Sequence, residues 1–443
     1  MKNLDLIISN ADIFLPNETI NRIDIGVIDS KIVELGDLSR RDSKNKIDAK
    51  NLLVLPGAID TQVHFREPGL THKEDLNSGT KGAILGGITT IFEMPNTSPS
   101  TTTIDALNQK LEIAQDNAYC NYSFFVGAAK ENIKNLKNLE LTPGCCGVKI
   151  FMGSSTGDLL VEDDESLRKI LLSGKRRVAV HSEDEYRLRE RIHLLDDMDI
   201  DVNCHPIWRD TETAVNSTVR LLKIAKETKR NVHVLHISTK DEIEILAKEK
   251  KISTCEVTPQ HLFFHSPSCY ENLGTLVQMN PPIRSLDHNK GLWKGVTEKV
   301  IDVVGSDHAP HTLEEKKMKY PKSPSGMTGV QTLLPIMLDF VNREKISISD
   351  LVRLVCKNPA RIYKMKFKGE IKIGNDADFS IVDLKKEFTI KNEWIASKSS
   401  WTPYDNVKVR GFPVITIVGG NVIMTENQIL SKPSGKPVQF NYD

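Results

Sequence analysis

Eight short apolar runs occupy the middle of this 443-residue chain, and segments of helical periodicity, such as 213–229 and 239–251, separate many of them. Eight strands alternating with helices favour a closed parallel (β/α)₈ barrel over an open sheet. Such a barrel takes about 250 residues, which this chain can supply. The runs are AIDTQVHF (58–65), ITTIFEMP (88–95), YSFFVGA (122–128), GVKIFMG (147–153), RVAVHSE (177–183), VHVLHIS (232–238), STCEVTP (253–259) and IDVVGSDHAP (301–310).

Both ends of the chain have a different pattern, that of short strands. The N-terminal part contains LDLIISNADIF and IDIGVIDSKIVELG, in which Asp29-Ser30 is placed like a two-residue hairpin turn. The C-terminal part contains ADFSIVDL, VKVRGFPVITIVGG and NVIMT, broken by Gly, Pro and Asn. We therefore expect residues 1–54 and 368–443 to form one composite β-sandwich domain beside a catalytic barrel of residues 55–367.

Charge and cysteine content limit the class of protein. The chain has 59 Lys and Arg against 59 Asp and Glu, so its charge balance indicates neither a nucleic-acid nor a membrane-surface partner. No run approaches the roughly 18 uncharged apolar residues of a membrane helix. Asp5 and Asp12 fall where a signal peptide would be apolar, and the seven cysteines form no C-x-x-C motif. These features predict a cytoplasmic protein.

Unusual polar residues fall at or near the C-terminal ends of six predicted strands. In (β/α)₈ barrels the loops that follow the strands converge at this end, and active sites are built there. The sequence therefore predicts that six residues far apart along the chain form one cluster. They are His64, Asn96, Lys149, His181, His236 and Asp307.

The residue types in this cluster indicate a metal site. Neutral imidazoles and carboxylates are the usual ligands of a catalytic Zn²⁺ or similar ion. A single histidine at a strand end more often serves structure, but three histidines and an aspartate at one barrel end favour ligation. Lys149 is costly to bury as a cation. The residues leave three interpretations of Lys149 open: an extended surface-reaching side chain, a Schiff-base lysine, or a lysine carbamylated by CO₂.

An ordered set of motifs carries a family resemblance over nearly the whole chain. LPGAIDTQVHFREPG (55–69) resembles the signature of the amidohydrolase superfamily, and its HFREPG part is similar to that of dihydroorotases, a cyclic amidohydrolase family. The other motifs follow in the family's order. They are MPNT (94–97), GVKIFMGSSTG (147–157), VHSED (180–184), LHIST (235–239), EVTPQHL (256–262), MNPPIR (279–284), GSDHAPHT (305–312), NPARIY (358–363), GEIKIGNDADFSIVD (369–383) and SSWTPYDNVKVRGFPVITIVGG (399–420).

The resemblance implies reversible hydrolysis of dihydroorotate to N-carbamoyl-aspartate in pyrimidine biosynthesis, with one or two Zn²⁺ ions. It implies that Asp307 also shuttles the proton. We further expect the loop of residues 311–326, which contains Pro321, Pro324 and Gly326, to cover the site. Arg66 and Asn96 would bind the substrate carboxylate with help from His311, and Asn280 would contact the ring. The implied metal ligands are His64, a carbamylated Lys149, His181, His236 and Asp307.

Gln62 is the main departure from the family pattern. Members with two metals usually carry His-x-His after the first strand, whereas this chain has Gln62-Val63-His64, and Gln260 stands where many relatives have histidine. A neutral amide oxygen is a weaker ligand than imidazole for a borderline ion. A weakly bound second metal or a single-metal enzyme is therefore expected.

Two alternatives stay open at this stage. The first is another cyclic amidohydrolase, an allantoinase or hydantoinase, whose substrates lack the carboxylate that Arg66 and Asn96 would bind. The second is a non-catalytic homologue that serves as a structural partner of aspartate transcarbamoylase, which Gln62 favours and the retained ligands oppose. The resemblance also implies a homo-oligomer, with association with aspartate transcarbamoylase as a further expectation.

Overall fold

The computed structural model describes residues 2–154, 159–196 and 200–442. The chain starts with seven short strands that precede the barrel. Asp29 and Ser30 have positive φ angles of 50° and 65° and join β4 to β5, which confirms the predicted hairpin turn. The seven strands are β1 (Leu4–Ser9), β2 (Asp12–Phe14), β3 (Ile20–Arg22), β4 (Asp24–Ile28), β5 (Lys31–Gly36), β6 (Ser43–Asp48) and β7 (Leu53–Pro56).

The next eight strands form the barrel, and each coincides with one of the eight predicted runs. Neighbours pair in parallel and in chain order. A parallel bridge between Val63 and His308 brings the first strand to the segment that follows the last, so the sheet is nearly closed. The strands are β8 (Ala58–Val63), β9 (Ile88–Glu93), β10 (Asn121–Gly127), β11 (Cys145–Phe151), β12 (Val178–His181), β13 (Val232–Val234), β14 (Ser253–Val257) and β15 (Val303–Val304).

Helices connect the barrel strands and pack around them. The two helical segments predicted from periodicity correspond to α7 and α8, which begin after the capping residues Asp210 and Thr239. Among the described residues, no helix is both long and apolar enough to cross a membrane. The α-helices are α1 (Leu76–Leu85), α2 (Ile104–Asn117), α3 (Leu136–Leu139), α4 (Asp164–Leu172), α5 (Glu185–Glu190), α6 (His205–Trp208), α7 (Thr211–Thr228), α8 (Lys240–Ala247), α9 (Pro259–Phe263), α10 (Ser268–Leu273), α11 (Leu286–Thr297), α12 (Leu313–Lys316), α13 (Leu333–Asn342), α14 (Ile348–Val352) and α15 (Asn358–Ile362).

The two ends of the chain share one β-sheet, as the sequence predicted. The C-terminal strands are β16 (Phe379–Thr389), β17 (Lys408–Val418), β18 (Asn421–Thr425) and β19 (Gln428–Ile429). They form a seven-stranded sheet with N-terminal strands in the order β19-β18-β17-β16-β7-β2-β3, and β16 pairs antiparallel with β7. A four-stranded sheet, β5-β4-β1-β6, shares an apolar core with it. Because β7 ends at Pro56, the predicted domain limit at residue 54 falls inside this strand, and the exact division stays a prediction.

Aromatic side chains fill the N-terminal end of the barrel. Tyr363, which follows α15, packs edge-on against Phe92 and Phe125, with ring centroids 5.0 and 5.9 Å apart. Phe440, near the end of the chain, contacts Phe92 from the same side. This packing closes the N-terminal end of the barrel. A site at the opposite, C-terminal end is therefore not open to solvent through the barrel interior.

Candidate active site

A cavity with about 350 Å³ of empty volume lies at the C-terminal end of the barrel. Every residue predicted for the site lies on its wall except His311, which lies behind Arg66. The cavity also includes Ser325 and Gly326, from the loop predicted to cover the site. The lining residues are Gln62, His64, Arg66, Asn96, Lys149, Phe151, His181, His236, Asn280, Asp307, Ala309, Ser325 and Gly326.

Three of the site residues adopt a backbone conformation that is unusual for side chains other than glycine. Their φ angles are 63° for Arg66, 36° for His236 and 46° for Asp307. Such conformations cost about 1–3 kcal/mol each, and they cluster at functional sites where the surrounding structure holds them. The last residues of the GVKIFMGSSTG motif, 155–157, lie outside the described residues.

His64 and Asp307 form one pair of candidate ligands. His64 Nε2 lies 3.2 Å from Asp307 Oδ1, while His64 Nδ1 lies 2.7 Å from Asn96 Oδ1. Burial lowers the pKa of His64, against the opposing effect of Asp307, so the ring is neutral at pH 7. With its proton on Nδ1, donated to Asn96, the ring keeps a lone pair on Nε2 that can bind a metal.

His181 and His236 form the second pair. His181 Nδ1 lies 3.0 Å from His236 Nε2, and His181 Nε2 lies 2.9 Å from Glu183 Oε2. Burial lowers the pKa of both histidines, so both rings are neutral at pH 7. Glu183 accepts the proton on His181 Nε2 and thereby leaves Nδ1 unprotonated and facing His236. This arrangement orients His181 as a ligand.

Lys149 extends from β11 toward both pairs. It is fully buried, and its Nζ atom lies 4.4 Å from the centre of the Phe151 ring. Within the described residues, Nζ has no hydrogen-bond partner. Burial lowers the pKa of Lys149 to about 7, although Asp307 and Glu256 oppose this effect. A large fraction of the Lys149 side chain is therefore an uncharged amine at pH 7. The uncharged amine is the form that reacts with CO₂.

Arg66 is a buried cation next to the cavity. Its Nε atom donates to the carbonyl oxygen of Pro310 at 3.2 Å, and no described residue accepts a hydrogen bond from Nη1. Burial lowers the pKa of Arg66 to about 10, with Asp307 opposing, so the guanidinium stays charged at pH 7. A buried cation with an unused donor is a suitable partner for an anionic group of a ligand.

His311 lies behind Arg66 and holds the covering loop. Lys73 Nζ donates to His311 Nδ1 at 3.1 Å, so the ring proton is on Nε2, which donates to the carbonyl oxygen of Ser325 at 3.1 Å. Burial and the charge of Arg66 lower the pKa of His311 well below its usual range. In this structure His311 positions Ser325, and its predicted contact with substrate stays a prediction.

Several residues that support the site were missed by the sequence reasoning. Glu183 orients His181, and Arg209 Nη1 donates to Glu183 Oε2 at 3.0 Å. Although burial would raise it, the charge of Arg209 and the contact with His181 lower the pKa of Glu183 to about 2. His205 Nε2 lies 3.0 Å from Asn280 Oδ1 and orients that side chain. Of these supporting residues, only Glu183 could have been found from the sequence, because it lies two residues after His181 in the VHSED motif.

The two histidine-containing pairs do not by themselves form a complete metal site. In the part of the chain that the structure describes, no group of three or more His, Cys, Asp and Glu side chains is arranged to hold a metal ion. Lys149 lies close enough to lower the pKa of His64, His181 and His236. Lys149 thus lies beside both pairs, and its role as a carbamylated ligand stays a prediction.

Comparison with known proteins identifies the family. A model of the amidohydrolase family matches residues 53–423, which include the whole barrel. This chain belongs to the amidohydrolase family. The match confirms the resemblance seen in the motifs between residues 55 and 420.

Curated relatives of this amidohydrolase include several archaeal dihydroorotases. The dihydroorotase of Pyrococcus horikoshii is 37% identical over 442 residues and covers 99% of this chain and 96% of its own. The dihydroorotase of Methanosarcina mazei is 35% identical over 444 residues and covers 97% of this chain and 96% of its own. Both similarities extend over nearly the full length of each protein, so the amidohydrolase groups with dihydroorotases in sequence.

Solved structures of hydantoinases share the fold of this amidohydrolase. The L-hydantoinase from Arthrobacter aurescens superposes with a TM-score of 0.93 and 28% identity, and the match covers 99% of each chain. A D-hydantoinase superposes with a TM-score of 0.89 at 23% identity, which shows the fold alone. The structural comparison thus confirms the barrel with its composite β domain.

Proposed function

We propose that this amidohydrolase is a dihydroorotase, which interconverts dihydroorotate and N-carbamoyl-aspartate. The observation that carries the proposal is Arg66, a buried guanidinium with an unused Nη1 donor next to candidate metal ligands. Allantoin and unsubstituted hydantoins have no carboxylate for this cation, whereas dihydroorotate does. The 35–37% identity to curated dihydroorotases supports the same assignment.

The residues present fit a Zn²⁺ ion. The paired ring nitrogens of His181 and His236, 3.0 Å apart, have a spacing close to the roughly 3.3 Å between two ligands of a tetrahedral Zn²⁺ at about 2.0–2.1 Å each. Lys149 Nζ and His236 Nδ1 are buried polar atoms without a hydrogen-bond partner among the described residues. We propose His181, His236 and carbamylated Lys149 as the ligands of the tighter site, and His64 with Asp307 as ligands of a second one.

Carbamylation of Lys149 follows from its surroundings. The neutral amine attacks CO₂, forms an N–C bond and loses a proton, which yields a carbamate with the charge of a carboxylate. This exchange replaces a buried cation, which would repel metal ions, with a metal-binding anion. Of the other two interpretations of Lys149, a Schiff base requires an aldehyde or ketone, whereas the carbonyl groups of dihydroorotate belong to amides and a carboxylate. A side chain that reaches the surface does not fit the full burial of Lys149.

Gln62 contacts Asp307, the proposed general base, through a hydrogen bond that positions the carboxylate. Its Nε2 amide donates to Asp307 Oδ1 at 2.9 Å, so the side chain points its donor, and not its oxygen, at the candidate ligand. We propose that Gln62 holds Asp307 in place and does not ligate the second metal. The second metal site is then weaker than the first, as the departure from His-x-His predicts.

The roles of the other side chains follow from their positions. A Zn²⁺ ion held by these ligands would supply Lewis acidity toward the scissile carbonyl and toward water. Arg66 binds the substrate carboxylate, and Asn280, oriented by His205, contacts the ring. Asp307 accepts the proton of the attacking water and delivers it to the ring nitrogen that leaves. In the reverse direction Asp307 removes that nitrogen's proton as the ring closes.

Turnover by the purified protein tests this assignment. We expect hydrolysis of dihydroorotate, and cyclisation of N-carbamoyl-aspartate at lower pH, with at least one metal ion per chain. Allantoin and hydantoin serve as the comparison substrates, because they share the cyclic amide but lack the carboxylate. Faster turnover of either one than of dihydroorotate would reassign the enzyme, and absence of turnover in a metal-loaded protein would favour the non-catalytic homologue.

A further inference from the structure

Asp307, the proposed base, lies on an irregular piece of backbone. Its φ angle is 46°, a conformation that residues other than glycine adopt rarely. The last barrel strand, β15 (Val303–Val304), ends before it, so the regular ladder of the sheet does not fix its position. Ser306, the residue before it, is fully buried and is hydrogen-bonded through its amide, carbonyl and hydroxyl groups. The position of the base therefore depends on the contacts of Ser306.

Two buried side chains from other elements hold the backbone of Ser306. The Ser306 N–H donates to Asp60 Oδ1, on β8, at 3.0 Å. Its carbonyl oxygen accepts a hydrogen bond from Gln260 Nε2, on α9, at 2.9 Å. A carbonyl oxygen can only accept, so this contact also decides which way the Gln260 amide points. Ser306 is thus tied to two elements that are far from it in sequence.

The two peptide groups that flank Asp307 are both restrained. The peptide group before it contains the Ser306 carbonyl that Gln260 holds. The peptide group after it contains the N–H of His308, which donates to Ser306 Oγ at 3.0 Å. Peptide groups are planar, so their orientations set the φ and ψ angles of the residue between them. These contacts therefore hold Asp307 in its unusual conformation, from which its Oδ1 accepts the hydrogen bond of Gln62 Nε2 at 2.9 Å.

Asp60 carries this arrangement across the seam of the barrel. β8 and β15 are the two end strands of the eight-stranded sheet, and the parallel bridge between Val63 and His308 joins their ends. Asp60 Oδ1 accepts the N–H of Gln62 on its own strand at 3.1 Å and that of Ser306 across the seam at 3.0 Å. Burial raises the pKa of Asp60 to about 7, so its carboxyl group is partly protonated at neutral pH. A buried carboxyl group is costly, and its place here indicates that these two N–H groups need an acceptor.

We infer that Asp60 and Gln260 are positioning residues, which hold the base Asp307 in place through Ser306. This inference rests on the proposed function, in which Asp307 moves the proton. A base must lie within hydrogen-bonding distance of the proton that it transfers, and a displacement of about 1 Å can cost on the order of 100-fold in rate. The substrate carboxylate is assigned to a separate group, Arg66. Loss of either positioning contact should therefore lower kcat and leave KM nearly unchanged.

Steady-state kinetics on metal-loaded variants test this inference. Asp60→Ala and Gln260→Met should each lower kcat roughly 10- to 100-fold while KM stays within about threefold. Asp60→Asn keeps an acceptor oxygen for the two N–H groups and should retain most of kcat. Asn358→Leu is the matched control for Gln260→Met, because Asn358 Nδ2 donates to the carbonyl oxygen of Asp302, at the opposite end of β15, at 2.8 Å. The control should lower the melting temperature and leave kcat within about twofold.

A crystal structure of Gln260→Met gives a readout that does not depend on turnover, and it carries the test if Asp60→Ala does not fold. In it the Asp307 carboxylate should have moved away from Gln62 Nε2, and an unchanged Asp307 would overturn the inference. Equal losses of kcat in Gln260→Met and Asn358→Leu, or in Asp60→Ala and Asp60→Asn, would also overturn it. If the parent enzyme hydrolyses another cyclic amide and not dihydroorotate, the proposed function fails, and the same kinetic comparison is made with that substrate.

Discussion

Replacing Arg66 with methionine tests how the enzyme selects a carboxylate-bearing substrate. Arg66 is 1% exposed, and its guanidinium stays charged at neutral pH, since burial lowers its pKa only to about 10. Each charge-assisted hydrogen bond to a substrate carboxylate is worth about 1.5–3 kcal/mol, and two such bonds are available to a planar fork. Methionine keeps most of the volume and none of the donors. We expect the variant to lose about 3–6 kcal/mol of transition-state stabilisation, so that kcat/KM for dihydroorotate falls roughly 150- to 25,000-fold.

The assay for Arg66→Met compares two substrates and measures metal content. Dihydrouracil is dihydroorotate without its carboxylate, so its turnover should differ little between the parent enzyme and the variant. Arg66→Lys keeps the charge without the fork and should lose less activity than Arg66→Met. Normal metal content in both variants shows that the site has folded. The reasoning is refuted if Arg66→Met stays within tenfold of the parent on dihydroorotate, or if dihydrouracil turnover falls by the same factor.

Three further predictions concern the metal site. Lys149→Ala should lose metal and activity together, with partial recovery of both in acetate or propionate; mass spectrometry that finds unmodified lysine in active, metal-loaded parent enzyme would contradict this. Reconstitution of metal-free enzyme with bicarbonate and Zn²⁺ should become faster as pH rises through about 7, because deprotonation of Lys149, whose pKa burial lowers to about 7, supplies the reactive amine. A rate independent of pH between 6 and 8, at constant dissolved CO₂, would be inconsistent with that. Gln62→His should raise the metal content toward two per chain, since imidazole is the better ligand and the hydrogen bond to Asp307 Oδ1 is replaced; two chelator-resistant metals in the parent enzyme would disprove the weak second site.

Periodicity was sufficient to predict the barrel. The eight apolar runs are short, bounded by turn residues and separated by helical segments, and each became a strand of one parallel sheet. The Asp29-Ser30 turn was also predictable, because two consecutive residues with positive φ suit few residue types and fix a tight hairpin. The predicted positions of the strand ends were less accurate. The last predicted run, 301–310, contains only the two-residue strand Val303–Val304. Beyond it the backbone turns away to place Asp307 in the site.

The clustering of the predicted residues around one cavity was also predictable, because strand order converts distant positions into neighbours. Five of them lie in or just after strands whose C-terminal ends must meet once the sheet closes: His64, Lys149, His181, His236 and Asp307. Their roles were not determined by this argument and stay proposals. The pattern could not show that Gln62 points its amide donor at Asp307, since an amide can either donate or accept.

Tertiary structure alone decided the electrostatics and the supporting contacts. The lowered pKa of Lys149 arises from burial, and the lowered pKa of Glu183 arises mainly from Arg209, which lies 26 positions away in sequence. Sequence periodicity reports which face of an element is buried, because burial repeats with the geometry of the backbone. It carries no record of the distances between side chains on different elements, and those distances set charge interactions and hydrogen bonds.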